Sequence, residues 1–229
     1  MISRIQLPWL SFDCYDTLVR YSENKASRLE ELIRNKGGND EAVAIAQETF
    51  KIRERALQLG PFLLLNEVLR RSLKDAFYAV DLSCSAKDEE AMIDAVCTAP
   101  PFSDVKGVLT DLRRHFRLAI LSNSEPNIIR HNIVRIGVGM DAIVLASEAK
   151  CYKPASGMFD RLLSRIDANA ADVTHIAQSF YHDISPSKDR GFGRRIWINR
   201  YQRKVDNANT PDHEFPGLEG LRNLLIELN

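Results

Sequence analysis

The stretch LPWLSFDCYDT, residues 7–17, decides how the rest of the chain is read. An apolar run over residues 7–12 stops at Asp13, the pattern of a buried strand running into a loop. From residue 25 to 99 the texture is helical: Leu29, Leu32 and Ile33 share helix spacing, as do Phe50, Ala56 and Leu57, and residues 62–77 and 89–96 read alike. Pro100-Pro101 closes that block, because a helix cannot continue through two prolines. Beyond it the pattern alternates. Helices expected over 105–115, from Pro126, and over 155–166, 186–190 and 218–228 separate short apolar strands at 118–121, 142–146, 173–177 and 196–198. Helices of this length between strands imply parallel βαβ units with helices on both faces. The expected fold is therefore α/β, a Rossmann-like doubly wound parallel sheet with an inserted α-helical cap. Residues 1–20 and 101–229 would form the core domain and residues 21–100 the cap.

Composition narrows the function classes. The 229 residues are 45% hydrophobic and 27% charged, ordinary for a soluble globular protein. Lys plus Arg equals Asp plus Glu at 31 each, and the basic stretches, Arg194-Arg195 and residues 200–204, are short and interleaved with apolar residues. A partner such as nucleic acid or an anionic membrane surface calls for a basic excess, so neither is expected. Cys14, Cys84, Cys97 and Cys151 are scattered without a CxxC pair, the usage of reduced thiols. The first apolar run, interrupted by Pro8, is too short for a signal peptide, and no stretch reaches membrane-span length. The expectation is a cytoplasmic protein that acts on a small molecule; a homodimer is compatible with it.

Ligands in open parallel sheets bind outside the carboxyl ends of the strands. Four segments place polar residues there: residues 13–17, Ser122-Asn123, Lys153 and residues 178–183. Any one alone is best read as a turn or cap residue. Together, in this order, they resemble the haloacid dehalogenase (HAD) superfamily over nearly the whole chain. Its DxxxT motif is matched by Asp13-Cys14-Tyr15-Asp16-Thr17, its strand-ending hydroxyl by Ser122, its Lys-Pro by Lys153-Pro154, and its late acidic motif by residues 178–183 ending in Asp183. The resemblance implies a hydrolase in which the Asp13 carboxylate attacks the substrate and forms a covalent ester or acyl phosphate that water cleaves. It also implies that Lys153 keeps Asp13 ionised and balances an anionic substrate, that Ser122 binds substrate oxygens, and that Asp183 orients Lys153 or the water.

Most members of that superfamily are phosphatases, and this chain departs from them twice. The proton-donating Asp two residues after the nucleophile is Tyr15 here, and the acidic Mg²⁺ ligand of the last motif is Gln178, a poor partner for a hard dication. Both changes suit a leaving group that needs no proton and a substrate that is a monoanion. FDCYDTL resembles the first motif of L-2-haloacid dehalogenases, whereas Gln178 and Phe180 stand where those enzymes carry small polar residues. HIAQSFYHD, followed by Pro186, is closer to a subgroup that includes an azetidine-2-carboxylate hydrolase. Expulsion of an amine demands a proton donor, for which Tyr15, Asp16 or His182 are candidates. The readings rank as 2-haloacid dehalogenation without cofactor, then ring opening or another C–X hydrolysis, then Mg²⁺-dependent phosphatase. A catalytically silent HAD-fold binding protein is the alternative from outside enzymology.

Further candidates for contact with a small carboxylate substrate are Tyr15, Asn123, Gln178 and Ser179, with Lys51 and Arg53 of the cap as cations for the leaving group; Arg55 lies on the same helix. The bland readings are that His182 packs at a loop edge, that His175 is structural, that Cys14 is an apolar filler, and that Trp197 and Arg200 are packing and surface residues. No metal ligand set is expected.

Overall fold

The computed structural model describes residues 7–204 and 209–227. Residues 1–6 of the expected core and Leu228 of the expected closing helix lie outside the described residues. Among those described, strands β1 (Trp9–Phe12), β2 (Arg117–Ser122), β3 (Ala142–Leu145), β4 (Val173–Ala177), β5 (Arg194–Ile198) and β6 (His213–Phe215) form a sheet in the order β3-β2-β1-β4-β5-β6, and every pairing is parallel. The strand order reverses between β1 and β4, so the crevice of this α/β sheet opens at the end of β1, where Asp13 stands.

Alternation along β1 explains the two-faced core. Leu10 and Phe12 point into a cluster with Ile120, Ile176 and Ile196 that is covered by helix α5 (Val105–Leu112). Trp9 points to the opposite face, where Ala119, Leu121 and Val144 meet Met158, Phe159 and Leu162 of a core helix, Ser156–Ile166. Because both faces are covered, β1 and β2 are nearly unbroken apolar runs in sequence. The edge strand β6 gave no such signal: His213 and Phe215 are only partly buried, Glu214 is exposed, and the strand lies between Pro211 and Pro216.

Four helices occupy the insert: α1 (Tyr21–Arg34), α2 (Asp40–Leu59), α3 (Leu65–Tyr78) and α4 (Ala86–Cys97). They enclose their own buried cluster of Leu29, Ile33, Phe50, Leu69, Leu73 and Phe77. The Asn39 side chain accepts the Ala42 N–H at the start of α2, and Ser85 and Asp88 form a reciprocal capping box at the start of α4. Helix α3 begins at Leu65 rather than at residue 62, since Gly60 and Pro61 hold the preceding segment extended. The two chain crossings between insert and core run side by side, with Arg20 N–H donating to the Pro100 carbonyl and Phe102 N–H to that of Leu18.

Arg200 departs from its expected surface role. Its guanidinium is buried, donates to the Thr17 carbonyl at 3.0 and 2.9 Å, and pairs with Asp104 at 3.0 Å. It thereby braces the loop that follows β1.

Candidate active site

The end of β1 carries Asp13, and the loops after β2, β3 and β4 bring the remaining polar groups to it. Lys153 lies eight residues beyond β3, past a one-turn helix, α6 (Ala146–Ala149), so the sequence distance from the strand says little about where its ammonium goes. Nζ of Lys153 donates to Asp13 Oδ1 at 2.8 Å, to Asp183 Oδ1 at 2.6 Å and to the Leu121 carbonyl at 2.9 Å. All three side chains are buried. One ammonium therefore bridges two carboxylates, and the triad carries one net negative charge when all three are ionised.

The other oxygen of Asp13 is held as well. Thr17 Oγ1 donates to Asp13 Oδ2 at 2.6 Å and accepts the Gln178 N–H at 2.8 Å, so the Thr of DxxxT links the end of β1 to that of β4. Behind Asp183, His175 Nε2 lies 3.0 Å from Oδ1 while its Nδ1 lies 3.1 Å from Ser11 Oγ. A carboxylate only accepts, so the proton belongs on Nε2 and Nδ1 takes the serine hydroxyl. The sequence assigned Thr17 no role and read His175 as structural; both complete the polar chain behind the carboxylates. The signal was available: alternation along β1 and β4 puts Ser11 and His175, paired in register, on one face.

Burial pushes the Asp13 carboxyl above its ordinary value, by more than the Lys153 ammonium draws it back, and the Asp183 charge adds to the rise. Burial acts on Asp183 too, but Lys153 and the His175 hydrogen bond outweigh it and hold that carboxyl below its usual range. Lys153 loses hydration, yet the two carboxylates prevail and its pKa is raised. Burial lowers His182 and pushes the Tyr15 phenol well up.

Not every expected residue faces the cleft in the expected manner. Asp13, Tyr15, Asn123, Lys153, Gln178, Ser179 and Asp183 line one cleft of about 580 Å³ between core and insert, joined by Lys51. Ser122 sits wholly buried at the end of β2, and its Oγ has no protein partner. Asn123 spends its carboxamide on the Lys153 backbone, accepting from N–H at 2.6 Å and donating to the carbonyl at 3.1 Å, so it positions the lysine. Ser179 Oγ accepts the His182 N–H at 3.0 Å and meets His182 Nδ1 at 3.0 Å, organising the wide turn over Phe180–Ile184. Gln178 Nε2 is buried and unpartnered. Asp16, at φ 59°, accepts from Ser22 at the start of α1 and from Tyr201, and so is engaged away from Asp13.

Arg53 is a correction: it points away from the cleft and pairs with Asp75 of α3 at 2.5 Å. Lys51 is largely exposed at the rim, 3.7 Å from Glu48. Helical periodicity turns Glu54, Arg55 and Gln58 toward the cleft instead, with Tyr21 and Lys25 of α1. Glu54 accepts from Tyr21 at 2.8 Å and Lys25 at 2.5 Å, and the Tyr21 ring stacks on Tyr15 at 4.2 Å. The Tyr15 hydroxyl meets Ser124 Oγ at 2.6 Å.

The family model for haloacid dehalogenase-like hydrolases matches residues 9–186. The chain belongs to that family. Among its relatives is the (S)-2-haloacid dehalogenase of Pseudomonas sp. (strain YL), 23% identical over 216 residues that cover 93% of this chain and 91% of that one. N-acylneuraminate-9-phosphatase of Mus musculus is 30% identical over 102 residues, 44% of this hydrolase and 41% of the phosphatase; the match thus spans less than half of that relative's length. The L-2-haloacid dehalogenase of Xanthobacter autotrophicus superposes with a TM-score of 0.81 at 18% identity, covering 96% of this chain and 98% of that one. A second structure of that dehalogenase holds chloropropionic acid covalently bound (TM-score 0.79, 17% identity, 96% and 98% covered).

Mg²⁺ is the cofactor that the phosphatase branch would bring, and the donors do not suit it. Among the described residues no three His, Cys, Asp or Glu side chains converge as a ligand set. Asp13 and Asp183 are already bridged by the Lys153 ammonium, and the third wall is the neutral Gln178. No helix among the described residues is long and apolar enough to cross a membrane.

Proposed function

We propose that this hydrolase attacks a carbon centre of a small carboxylate through Asp13, in the manner of a 2-haloacid dehalogenase, with residues 21–100 as the cap over the site. The observation that carries the reading is the single ammonium shared by Asp13 and Asp183, with the neutral side chains of Tyr15 and Gln178 beside it. Such a site accommodates one further negative charge, that of the substrate carboxylate, better than the two of a phosphate monoester.

In the first step an Asp13 oxygen forms a bond to the carbon bearing the halogen, and halide departs with the electron pair of the broken bond. The product is an ester of Asp13. In the second step water adds to the acyl carbon of the Asp13 ester and the bond from that carbon to the attacking oxygen breaks. This oxygen leaves on the substrate carbon as the hydroxyl of a 2-hydroxy acid, the water oxygen stays in the regenerated Asp13 carboxylate, and of the two water protons one goes to the hydroxyl and the other to solvent. Lys153 neutralises charge throughout, Asp183 orients it, and Asp183 Oδ2, which has no protein partner, receives the water. Ser122 Oγ and Gln178 Nε2 are buried donors without a protein acceptor, an arrangement that costs roughly 1–3 kcal/mol each unless a ligand satisfies them. Gln178, which lines the cleft at the end of β4, would take the substrate carboxylate or the ester oxygen, whereas Ser122 lies behind the cleft wall.

Ring opening of a cyclic amino acid is the second reading: a cationic ring nitrogen would reach the Glu54 carboxylate on the cap side of the cleft by taking the place of Lys25. A three-substrate panel decides: chloride release from 2-chloropropionate, ring opening of azetidine-2-carboxylate, and para-nitrophenyl phosphate hydrolysis with and without Mg²⁺. Chloride release without metal is the expected result. A Mg²⁺-dependent phosphatase signal overturns the reading, and silence on all three favours a binding protein.

A further inference from the structure

A second cavity, of about 380 Å³, opens beside the catalytic cleft between the α2–α3 loop and the core loop over residues 150–155. It is continuous with the cleft: Arg55, Gln58, Lys153, Tyr181 and His182 line both. Its volume falls within the roughly 300–1,000 Å³ of pockets that take small organic ligands. A 2-halopropionate at Asp13 would leave it unused.

The chemistry of its wall is specific. The body is aromatic, with Phe62 and Tyr152 at 5.4 Å between ring centroids, Tyr152 fixed by its hydroxyl on the Leu63 carbonyl at 2.9 Å. Its charged members are cations. Lys150 Nζ lies over the Phe62 ring at 5.6 Å and the Arg55 guanidinium over the Tyr181 ring at 5.6 Å. Neither has a carboxylate within ion-pair distance among the described residues, although most cations of the insert are paired. Lys150 also stands at φ 54°, a left-handed position after α6 that glycine would occupy with less strain. An aromatic wall with unpaired cations and no acid among its lining residues complements an apolar arm that ends in an anion.

We infer that the site is bipartite: the substrate is an acid whose reacting carbon lies at Asp13 and whose apolar or aromatic arm runs into the second cavity and ends in a second anionic group held by Arg55 and Lys150. This rests on the proposed reaction at Asp13 for the first half of the substrate, but binding of the arm can be measured without turnover. The probe is 3-(4-carboxyphenyl)propionate, which has no leaving group, compared with 3-phenylpropionate, which lacks the distal carboxylate. Cys151 lines the second cavity and not the catalytic cleft, so its alkylation by iodoacetamide, followed by peptide mass mapping, reports occupancy there.

The two-headed acid is expected to protect Cys151 and to bind at least tenfold tighter than 3-phenylpropionate. Lys150→Gln, at a residue that lines only the second cavity, should remove most of that advantage while changing 3-phenylpropionate affinity less than twofold, which separates loss of the anion contact from loss of fold; Arg55→Gln, at a residue that lines both spaces, should weaken the two-headed acid more than 3-phenylpropionate. Asp13→Asn, which alters charge only at the proximal end, should keep the preference for the two-headed acid over 3-phenylpropionate. Equal affinity for the two acids, or a two-headed acid that leaves Cys151 unprotected, overturns the inference. Probe binding without chloride release from any 2-chloro acid would leave the cavity assignment standing and refute only the reaction at Asp13.

Discussion

Replacing Lys153 by methionine tests the electrostatic core of the site. The substitution keeps length and removes the ammonium that lies 2.8 Å from Asp13 and 2.6 Å from Asp183, both buried. Breaking one side of a buried ion pair costs about 3–5 kcal/mol, because the remaining charge is left uncompensated. Here two carboxylates lose the same partner, so the upper part of that range is expected at neutral pH. With a urea slope of about 2 kcal/mol per molar, the unfolding midpoint should fall by roughly 2–2.5 M. Against a total stability of about 5–15 kcal/mol the variant should still fold in most of that range.

Acid should narrow the difference between Lys153→Met and the parent. Lys153 has a raised folded-state pKa, so its contribution is complete below the ordinary 10.5 and is lost as pH rises through the higher folded value. Asp183 is lowered from 3.8, so its contribution is present above that value and lost as pH falls through the depressed one. Asp13 is raised from 3.8 and works the other way, favouring the fold only in acid. Without the ammonium both carboxyls rise, and protonation relieves their burial; the destabilisation should therefore shrink between about pH 7.5 and about pH 5. Adding Asp13→Asn to Lys153→Met should restore part of the loss at neutral pH, since Asp183 keeps His175. Urea unfolding followed by circular dichroism at the two pH values measures all of this. A single variant within about 1 kcal/mol of the parent, or a deficit that does not shrink in acid, would refute the shared-ammonium account.

Other outcomes follow from the same geometry. Asp13→Asn should lower turnover by at least about 10⁴-fold while the circular dichroism spectrum is unchanged, and the parent, quenched during turnover, should show a mass-shifted ester on the peptide containing Asp13; full activity of the variant would remove Asp13 from its role. The rate on the acid side should fall with an apparent pKa above the ordinary 3.8 of an aspartate, because burial raises Asp13, and Thr17→Val should move that limb to still higher pH by deleting the hydrogen bond that favours the carboxylate; a limb that moves down would contradict it. Gln178→Asp should weaken the protein in metal-free buffer by adding a third acid beside Asp13 and Asp183, and should make its melting temperature respond to Mg²⁺, by roughly 5–10 °C at about 100 times the dissociation constant. A melting temperature indifferent to Mg²⁺ would show that more than this residue keeps the cation out.

Much of this molecule is written locally. The apolar run ending at Asp13, the double proline at 100–101 and the later short strands follow from patterns within a few residues, and Val173–Ala177 was bounded as expected. The four polar strand ends were equally legible, because a parallel sheet brings the ends of its strands to one edge whatever lies between. Strand β6 was not, as its three residues carry no apolar run and gain their place only by pairing with β5.

Tertiary structure alone decided which side chains are free and which are spent. Helix spacing puts Arg53 and Arg55 on different faces but does not say which face meets the cleft; the packing of α2 against α3 sends one to Asp75 and turns the other to the cleft. Asn123 reads as a ligand for substrate until the loop after β3 folds back and takes both ends of its carboxamide. Arg200 reads as surface until Thr17 and Asp104 surround it. Residue type and spacing determine secondary structure and the edge of the sheet where chemistry can occur, because those depend on near neighbours. Charge balance, hydrogen-bond satisfaction and the shape of the second cavity depend on groups tens of residues apart, and only the folded chain brings them within a few ångströms.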